Sequence, residues 1–359
     1  MRNIHHLQRH RLWHWPVLVL VRYYVVRDTT PVEDAAMLTA IVGLSYLSWR
    51  YVETPFRQRT VSARRLVVVC AVAAGLLAAF AAATLAARGF PARLNANAGR
   101  VNAAVGTNYR CPIGDYLAFG ASRGCVLALP SRSPDDADVV LLGNSHAQMF
   151  APLVASILAD HGLHGLLVPA NGCLPWTATN IDVPCQATAA INLAAVLRLK
   201  ARVVIVAFSW AELEGPLVDG AGRALPPSTV AARIIPLDTT IAALRRAGKR
   251  VIVVGPTAAP GWDVASMVSR DLAFGHPVER PLFTAKPTFD AQFGAAITAF
   301  DHRPDVGFIR PDVIQCRSGR CDYVIDGDAL FADDNHLAAA ATARFRPVFE
   351  PRIVAAAAR

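Results

Sequence analysis

The sequence predicts an α/β domain built on a parallel sheet and preceded by three transmembrane helices. Five short apolar runs, which alternate with helical stretches after residue 139, predict the domain. Two polar motifs near its ends, G-N-S-H at 143–146 and D-D-N-H at 333–336, predict a reactive site. Long apolar stretches before residue 90 predict the helices, and 53% of the 359 residues are hydrophobic. The mean hydropathy of +0.33 is too high for an ordinary soluble protein.

Three candidate membrane spans lie at residues 13–26, 35–49 and 66–87. The third span has no charged residue, and a helix of about 22 residues rises roughly 33 Å, which is enough to cross the hydrocarbon core. A signal peptide explains the start poorly, because the first span is aromatic, carries Arg22 and precedes no small-residue cleavage site.

The distribution of arginines orients these spans. Arginines cluster before the first span and between the second and third: Arg2, Arg9 and Arg11, then Arg50, Arg57, Arg59, Arg64 and Arg65. The loop at 27–34 is balanced in charge. The positive-inside rule therefore predicts the order in, out, in, out, with the chain after about residue 88 outside the cytoplasm. The net charge of +9 then reflects topology, and no alternation of basic and aromatic residues suggests a nucleic-acid partner.

Six of the seven cysteines fall into three close pairs, at 111 and 125, 173 and 185, and 316 and 321, while Cys70 lies within the third span. Six cysteines allow fifteen connectivities, so pairing between neighbours, Cys111–Cys125, Cys173–Cys185 and Cys316–Cys321, is the simplest prediction. A zinc site is the alternative, but there is no C-x-x-C motif or nearby histidine cluster. Disulfides in an oxidising compartment are therefore favoured.

The stretch at 91–138 is rich in small and polar residues and is interpreted as a linker and lead-in. After it, strands are predicted at 139–142, 165–168, 203–208, 251–254 and 306–309, and helices at 147–161, 188–200, 228–247 and 290–300. Apolar strands that alternate with helices predict a parallel sheet covered on both faces.

A candidate catalytic triad is present in the chain order Ser145, Asp333, His336. Ser145 follows the first predicted strand directly, at the edge where sheets of this kind bind ligands. A serine hydroxyl needs a base to become a nucleophile, and that base needs a partner that fixes its tautomer. His336 can be the base, and Asp333, three residues earlier, can be the partner. This arrangement predicts acyl transfer or ester cleavage.

The tetrahedral intermediate of such a reaction carries an oxyanion that needs hydrogen-bond donors. The backbone N–H of Ser145, which follows Gly143 at a predicted helix N-terminus, is one candidate. Asn171 and Gly172 follow the second predicted strand, and Trp210 follows the third. No metal site is predicted.

Each of these residues also has a purely structural interpretation. Ser145 and Asp333 are typical helix caps, and Asn171 with Gly172 is typical of a turn. Asp334 competes with Asp333 as the orienting group, and His146 competes with His336 as the base. The tryptophans Trp176, Trp210 and Trp262 are either core aromatics or a stacking surface for sugar rings.

The motifs G-N-S-H and D-x-x-H-L resemble those of the SGNH hydrolase family, whose first block is usually G-D-S. The resemblance implies a three-layer, flavodoxin-like domain at 139–359, with Ser145, Asp333 and His336 as catalytic residues. The chain departs from the family pattern at Asn144. The family's glycine and asparagine oxyanion blocks have no unambiguous counterpart here. The resemblance therefore does not identify all the residues of the oxyanion hole.

The front of the chain resembles the end of the acyltransferase 3 membrane family, through L-W-H-W-P-V-L at 12–18 and S-W-R-Y-V-E-T-P-F-R at 48–57. The resemblance implies a remnant of that membrane domain at 1–60, an extra transmembrane helix at 61–90, a periplasmic lead-in at 91–138 and the SGNH domain at 139–359. Only the last helix pair of the membrane domain is present, so the chain resembles an N-terminally truncated member.

The resemblance implies O-acetylation of a bacterial surface polysaccharide or lipopolysaccharide sugar, by an inner-membrane protein with its C-terminal domain in the periplasm. No cofactor is expected to be bound, and acetyl-CoA is the implied donor of a complete membrane domain, which a separate membrane acyltransferase chain could supply. A membrane-anchored carbohydrate acetylesterase and a catalytically weak sugar-binding module are the alternatives. The identities of the polysaccharide, its hydroxyl and the acyl group stay open.

Overall fold

The computed structural model describes residues 11–57, 62–128 and 133–358 of the chain. The chain forms two compact units. The N-terminal unit comprises Met1–Gly99 and Met267–Val278, and the C-terminal unit comprises Arg100–Ser266 and Glu279–Arg359.

The first part of the chain is helical. Its elements are α1 (Arg11–Val25), α2 (Pro31–Ser48), a π-helical segment (Trp49–Glu53), α3 (Thr54–Arg57), α4 (Ala63–Ala86), a 3₁₀ turn (Pro91–Arg93) and α5 (Ala96–Asn102). Helix α2 begins with a capping box: the Thr30 hydroxyl accepts from the Glu33 N–H, and the Glu33 carboxylate accepts from the Thr30 N–H.

One helix of the described residues, α4, has both the length and the apolar composition to cross a membrane, with a mean hydropathy of 2.6 in its most apolar window. The other two predicted spans coincide with α1 and α2, but neither of these helices combines the same length and composition. Three spans therefore remain a prediction. The arginines Arg2, Arg9 and Arg59, on which the predicted orientation partly depends, lie outside the described residues.

Short strands and helices alternate in the rest of the chain. The strands are β1 (Leu117–Phe119), β2 (Ser122–Ala128), β3 (Val139–Gly143), β4 (His164–Pro169), β5 (Thr179–Asn180), β6 (Val203–Ala207), β7 (Val218–Asp219), β8 (Arg250–Val254), β9 (Phe283–Ala285), β10 (Gly307–Ile309), β11 (Cys316–Arg317), β12 (Arg320–Asp322), β13 (Val324–Ile325) and β14 (Asp328–Ala329).

The helices that follow α5 are α6 (Ser145–Asp160), α7 (Val183–Arg198), α8 (Val230–Arg233), α9 (Leu237–Arg246), α10 (Val264–Phe274), α11 (Lys286–Asp301), α12 (Asp312–Gln315), α13 (Ala339–Thr342) and α14 (Arg346–Ala358). Short 3₁₀ helices lie at Ile113–Asp115, Pro134–Asp136, Trp210–Glu214 and Ala343–Phe345.

The central sheet of the C-terminal unit has seven strands in the order β1-β2-β4-β3-β6-β8-β10. The five strands from β4 to β10 are parallel, as the sequence predicts, while β2 pairs antiparallel with β4 at one side. Every residue of β3 and β6 is buried. Strands without a solvent-facing side need cover on both faces, so the predicted parallel sheet between helical layers is confirmed.

Alternate residues of the strands divide the core into two layers. On one face Val140, Leu142, Val204 and Val206 pack in a single apolar cluster with residues of α7, α9 and α11. On the other face lies α6, whose Phe150 ring contacts Phe349 of α14 at a centroid distance of 4.8 Å. The C-terminal unit is therefore a three-layer α/β fold.

The structure differs from the sequence-based expectation in the lead-in and in the helix predicted at 228–247, and it adds the helices α10 and α14, which the sequence analysis does not predict. The lead-in at 91–138 contributes β1 and β2 to the sheet, because the Cys125 to Ala128 end of β2 pairs with β4. The predicted helix at 228–247 is two helices, α8 and α9, which residues 234–236 separate. Pro236 has no N–H with which to continue the first helix.

The three predicted disulfides are present: Cys111–Cys125, Cys173–Cys185 and Cys316–Cys321. Among the described residues, Cys70 on α4 is the free cysteine. The Cys111–Cys125 bond ties the start of the C-terminal unit to β2, and Cys173–Cys185 ties the loop after β4 to α7. The loops near the carboxyl edge of the sheet are thus covalently held.

Gly143, the last residue of β3, is packed too tightly for any side chain. A Cβ built on it would lie 1.6 Å from the Ala207 carbonyl oxygen of β6 and 3.1 Å from the Ala147 Cβ of α6. We therefore expect Gly143→Ala to lower the free energy of unfolding by about 4 kcal/mol or more, because β3 and β6 must separate to admit the methyl group.

Chemical denaturation of the detergent-solubilised chain measures this effect. Gly220→Ala is the matched control, because a Cβ there meets no atom within 4 Å, and we expect it to change stability by less than about 0.5 kcal/mol. Equal stabilities of the two variants would contradict the close packing of β3 against β6.

Candidate active site

Ser145 is the first residue of α6 and stands immediately beyond the carboxyl end of β3. The residue between them, Asn144, is fully buried and caps the helix: its Oδ1 accepts from the His146 N–H at 2.9 Å. The same oxygen accepts from the Ser209 N–H at 3.2 Å, beyond the end of β6. Asn144 therefore fixes the start of α6 against the neighbouring strand, while Ser145 itself is partly exposed.

His336 is hydrogen-bonded to Asp333, the partner that the sequence analysis proposes for it. The His336 Nδ1 lies 2.8 Å from Asp333 Oδ2, and Asp333 Oδ1 accepts from the backbone N–H groups of Asn335 at 3.0 Å and His336 at 2.7 Å. An ionised carboxylate only accepts hydrogen bonds, so the proton belongs on Nδ1 and the lone pair on Nε2. The adjacent Asp334 is exposed and takes no part in this pair.

The charge of Asp333 follows from its surroundings. Burial raises the pKa of the Asp333 carboxyl, but the hydrogen bonds from the His336 side chain and from the two backbone N–H groups outweigh burial and lower the pKa to about 2. The carboxylate is therefore ionised at neutral pH and can hold the imidazole in one tautomer.

The His336 turn packs against the first turn of α6, which carries Ser145. The rings of His146 and His336 have their centroids 5.3 Å apart, and the Leu337 N–H points to Met149 Sδ at 3.2 Å. Tyr109 stacks on His336 with a centroid distance of 5.5 Å. Two segments almost two hundred residues apart in the chain thus meet at one edge of the sheet.

The His336 Nε2 is buried and has no hydrogen-bond partner among the described residues, so it makes no hydrogen bond to Ser145 Oγ. Catalytic hydrogen bonds are often long before substrate binds. The arrangement offers a basic nitrogen with a free lone pair beside the turn that carries the hydroxyl.

His146, the alternative base, lies in a different environment. Burial is the larger cause and the charge of His336 the smaller, and together they lower the pKa of His146 to about 3. The His146 imidazole is therefore neutral at physiological pH. Of the two histidines, only His336 is hydrogen-bonded to a carboxylate within the described part of the chain. The geometry therefore favours His336 as the base.

The other candidate oxyanion donors lie near the same edge. Pro169, at the end of β4, pairs with Gly143, and the Ala170 N–H donates to the Gly143 carbonyl at 2.7 Å. Asn171 and Gly172 follow in an exposed turn, in which Gly172 has a left-handed φ of +72°. This turn therefore comes next to the turn of Ser145, and the Cys173–Cys185 disulfide holds it.

Trp210 is placed in the apolar core. Its ring stacks on Phe208 with a centroid distance of 5.4 Å, and its indole N–H donates to the Val254 carbonyl at 2.9 Å. Trp176 is buried as well, with its N–H on the Thr179 hydroxyl at 3.2 Å. Both indole N–H groups are engaged within the fold, whereas Trp262 is partly exposed under the guanidinium of Arg280.

Two residues that the sequence reasoning missed lie at the site. Tyr109 comes from the lead-in, where no motif marks it. Glu212 lies in the 3₁₀ helix after β6, and its Oε2 accepts from Asn144 Nδ2 at 2.8 Å. Burial raises the pKa of Glu212 to about 7, against the opposing effects of Asn144 and His336. Its place after a predicted strand end, in W-A-E-L-E, is the signal that could have revealed it.

Residues 110–351 match the sequence profile of the SGNH domain that is fused to AT3 domains. The match begins before residue 139 and so includes β1 and β2. A similar solved structure is the periplasmic domain of a lipopolysaccharide acetyltransferase from Salmonella ser. Paratyphi A, at 14% sequence identity and a TM-score of 0.46, over 60% of this chain and 83% of that one. Comparison with curated proteins finds no match.

The burial of His146 predicts a loss of stability in acid. Its pKa is near 6.5 when the chain is unfolded and about 3 when folded, so below pH 6.5 the unfolded state binds the extra proton. The free energy of unfolding should therefore fall as the pH drops from about 6.5 towards 3, by about 2 kcal/mol at pH 5 from this residue.

The difference in unfolding free energy between His146→Gln and the unsubstituted chain, measured by denaturation from pH 7.5 to pH 4, isolates this effect. We expect the variant to gain relative stability steadily as the pH is lowered. A difference that does not change with pH would mean that His146 is not buried in its neutral form.

Proposed function

Because the chain belongs to the family of SGNH domains fused to AT3 domains, we propose that its C-terminal unit transfers an acyl group, which we take to be acetyl, to a hydroxyl of a cell-surface polysaccharide. The observation that carries the proposal is the hydrogen bond of 2.8 Å between Asp333 and His336, which leaves the other imidazole nitrogen free beside the start of α6. In this proposal Ser145 is the nucleophile, His336 the base and Asp333 the orienting carboxylate.

The first half of the reaction makes an acyl-enzyme. Ser145 Oγ forms a bond to the carbonyl carbon of the donor while its proton passes to His336 Nε2. Asp333 stabilises the imidazolium that results. The intermediate then breaks its bond to the donor group, and His336 returns the proton to the departing oxygen or sulfur.

The oxyanion of each tetrahedral intermediate needs donors that are already in place. The Ser145 N–H is one, because the first N–H groups of a helix have no acceptor within the helix. The turn after β4 supplies the backbone N–H of Gly172 and the amide of Asn171 as further candidates, beside the end of Gly143.

The second half releases the acyl group to the acceptor. A sugar hydroxyl attacks the acyl carbon and gives its proton to His336 Nε2, after which the bond to Ser145 Oγ breaks and that oxygen takes the proton back. If water attacks in place of the sugar, the product is a free acid and the protein is an esterase. The partial exposure of Ser145 favours this second candidate, because water can reach the acyl-enzyme.

The compartment of the proposed reaction is the periplasm. Three disulfides are typical of an oxidising compartment, and α4 is long and apolar enough to anchor the C-terminal unit in the inner membrane. We further propose that α1 and α2 also span the membrane. Acetyl-CoA in the cytoplasm would be the ultimate donor, used by a complete membrane domain or by a separate membrane acyltransferase chain.

The role of Ser145 is tested by Ser145→Ala in the full chain. We expect hydrolysis of a chromogenic acetyl ester to fall by about 10³-fold or more, and covalent labelling by a fluorophosphonate to disappear, because the nucleophile is lost. Ser156→Ala, an exposed position on the same helix, is the matched control and should keep both signals.

Transferase and esterase are separated by adding an oligosaccharide acceptor to the same assay. Mass spectrometry of the sugar should detect a new ester while the release of acetate falls, if transfer dominates. Acetate release that ignores the acceptor would favour the esterase. Sugar binding that survives Ser145→Ala, with no labelling of the unsubstituted chain, would replace both with a binding module.

A further inference from the structure

The pair of Asn144, which is buried, and Glu212, which is partly buried, links the serine turn to the loop after β6. The two backbone N–H groups that face Asn144, from His146 and Ser209, can only donate, so the oxygen of the Asn144 amide must face them. Its NH₂ group then faces Glu212, and the distance from Nδ2 to Oε2 is 2.8 Å. The amide is satisfied only if residue 212 offers an acceptor.

The backbone that follows Glu212 is held by hydrogen bonds from a buried arginine. Arg233 of α8 is buried, and its Nη1 donates to the carbonyl oxygens of Leu213 at 2.8 Å and Gly215 at 2.5 Å. The neighbouring Glu214 is exposed and pairs with Gln292 of α11 at 2.5 Å. Glu212 is therefore the carboxyl of this 3₁₀ helix that points to the serine turn.

We propose that Glu212 is a positioning residue for Ser145, which acts through Asn144. At least one of residues 144 and 212 must carry an amide, and the other must offer it an acceptor. The pair keeps the turn from Gly143 to Ser145 in the position that exposes the serine hydroxyl. Two carboxylates at these positions would lie within hydrogen-bonding distance of each other and would repel. An apolar residue at 212 would leave the Asn144 amide without an acceptor.

The environment of Glu212 adds a response to pH. The titratable groups that meet at this edge of the sheet are His336, Asp333, His146 and Tyr109. The guanidinium of Arg233 is engaged with backbone carbonyls. Because burial raises the pKa of Glu212 to about 7, this carboxyl gains its charge within the neutral range. The ionised form accepts the Asn144 hydrogen bond more strongly and favours the imidazolium of His336.

The test exchanges the two functional groups. In Asn144→Asp two carboxyls meet, and we expect ester hydrolysis to fall by about 100-fold at pH 8. The loss should be smaller at pH 6, where Glu212 can be protonated and donate a hydrogen bond to the introduced carboxylate. Adding Glu212→Gln restores one amide and one carboxyl, with the direction of the hydrogen bond reversed. The double variant should recover to within about 10-fold of the unsubstituted chain.

The single variant Glu212→Gln separates positioning from a merely structural role. Its carbonyl can still accept from Asn144, so the fold is retained, but the group that titrates near pH 7 is gone. We expect the ratio of its rate to that of the unsubstituted chain to change between pH 6 and pH 8, and the ratio for the control Glu214→Gln to stay constant. A constant ratio for Glu212→Gln, or a double variant no more active than Asn144→Asp, would overturn the proposal.

The inference rests on the proposed function only for its activity readout. If hydrolysis survives Ser145→Ala, the proposed function fails. The interaction between residues 144 and 212 is then tested by thermal unfolding alone. The double variant should melt at least about 3 °C above Asn144→Asp if the groups are matched. Equal melting temperatures would refute the pair independently of the chemistry.

Discussion

The close approach of β3 and β6 at Gly143 is the constraint on which the site depends. The Ala207 carbonyl occupies the space where a side chain at Gly143 would lie, so the two strands end side by side. This registry allows Asn144 to bond to both the start of α6 and the loop after β6. Helix α6 must then begin at Ser145, and the Ser145 hydroxyl lies at the edge of the sheet.

Two carboxyls at this edge have opposite electrostatic character, although both are partly buried. Asp333 accepts three hydrogen bonds, two of them from backbone N–H groups, and these outweigh burial and keep it ionised. Glu212 accepts one amide hydrogen bond, so burial prevails and its pKa rises to about 7. Glu212 is buried more deeply than Asp333 and accepts fewer hydrogen bonds, and both differences favour the neutral form of Glu212. One carboxyl can therefore orient His336 permanently, while the other responds to pH.

Much of the fold could be predicted because its signals are local. Apolar runs at 203–208 and 251–254 are too short and too β-branched for helices, and they form β6 and β8. Cysteines spaced by 14, 12 and 5 residues pair with their neighbours. The strand β2 escaped prediction because Ser122, Arg123 and Gly124 lack strand propensity, and its place is decided by pairing with β4. Pro236 marked a helix break that periodicity alone concealed.

For the candidate site, the sequence by itself determined the arrangement that is local in the chain: a serine after a strand, and a histidine with an aspartate three residues before it. Only the tertiary structure decided which acidic residue is hydrogen-bonded to His336, that Trp210 belongs to the core, and that Glu212 and Tyr109 lie at the candidate site. The reason is physical. Spacing along a helix or turn specifies which side chains can meet locally, but contacts between residues 109, 144, 212 and 336 depend on how strands and helices pack across the whole sheet.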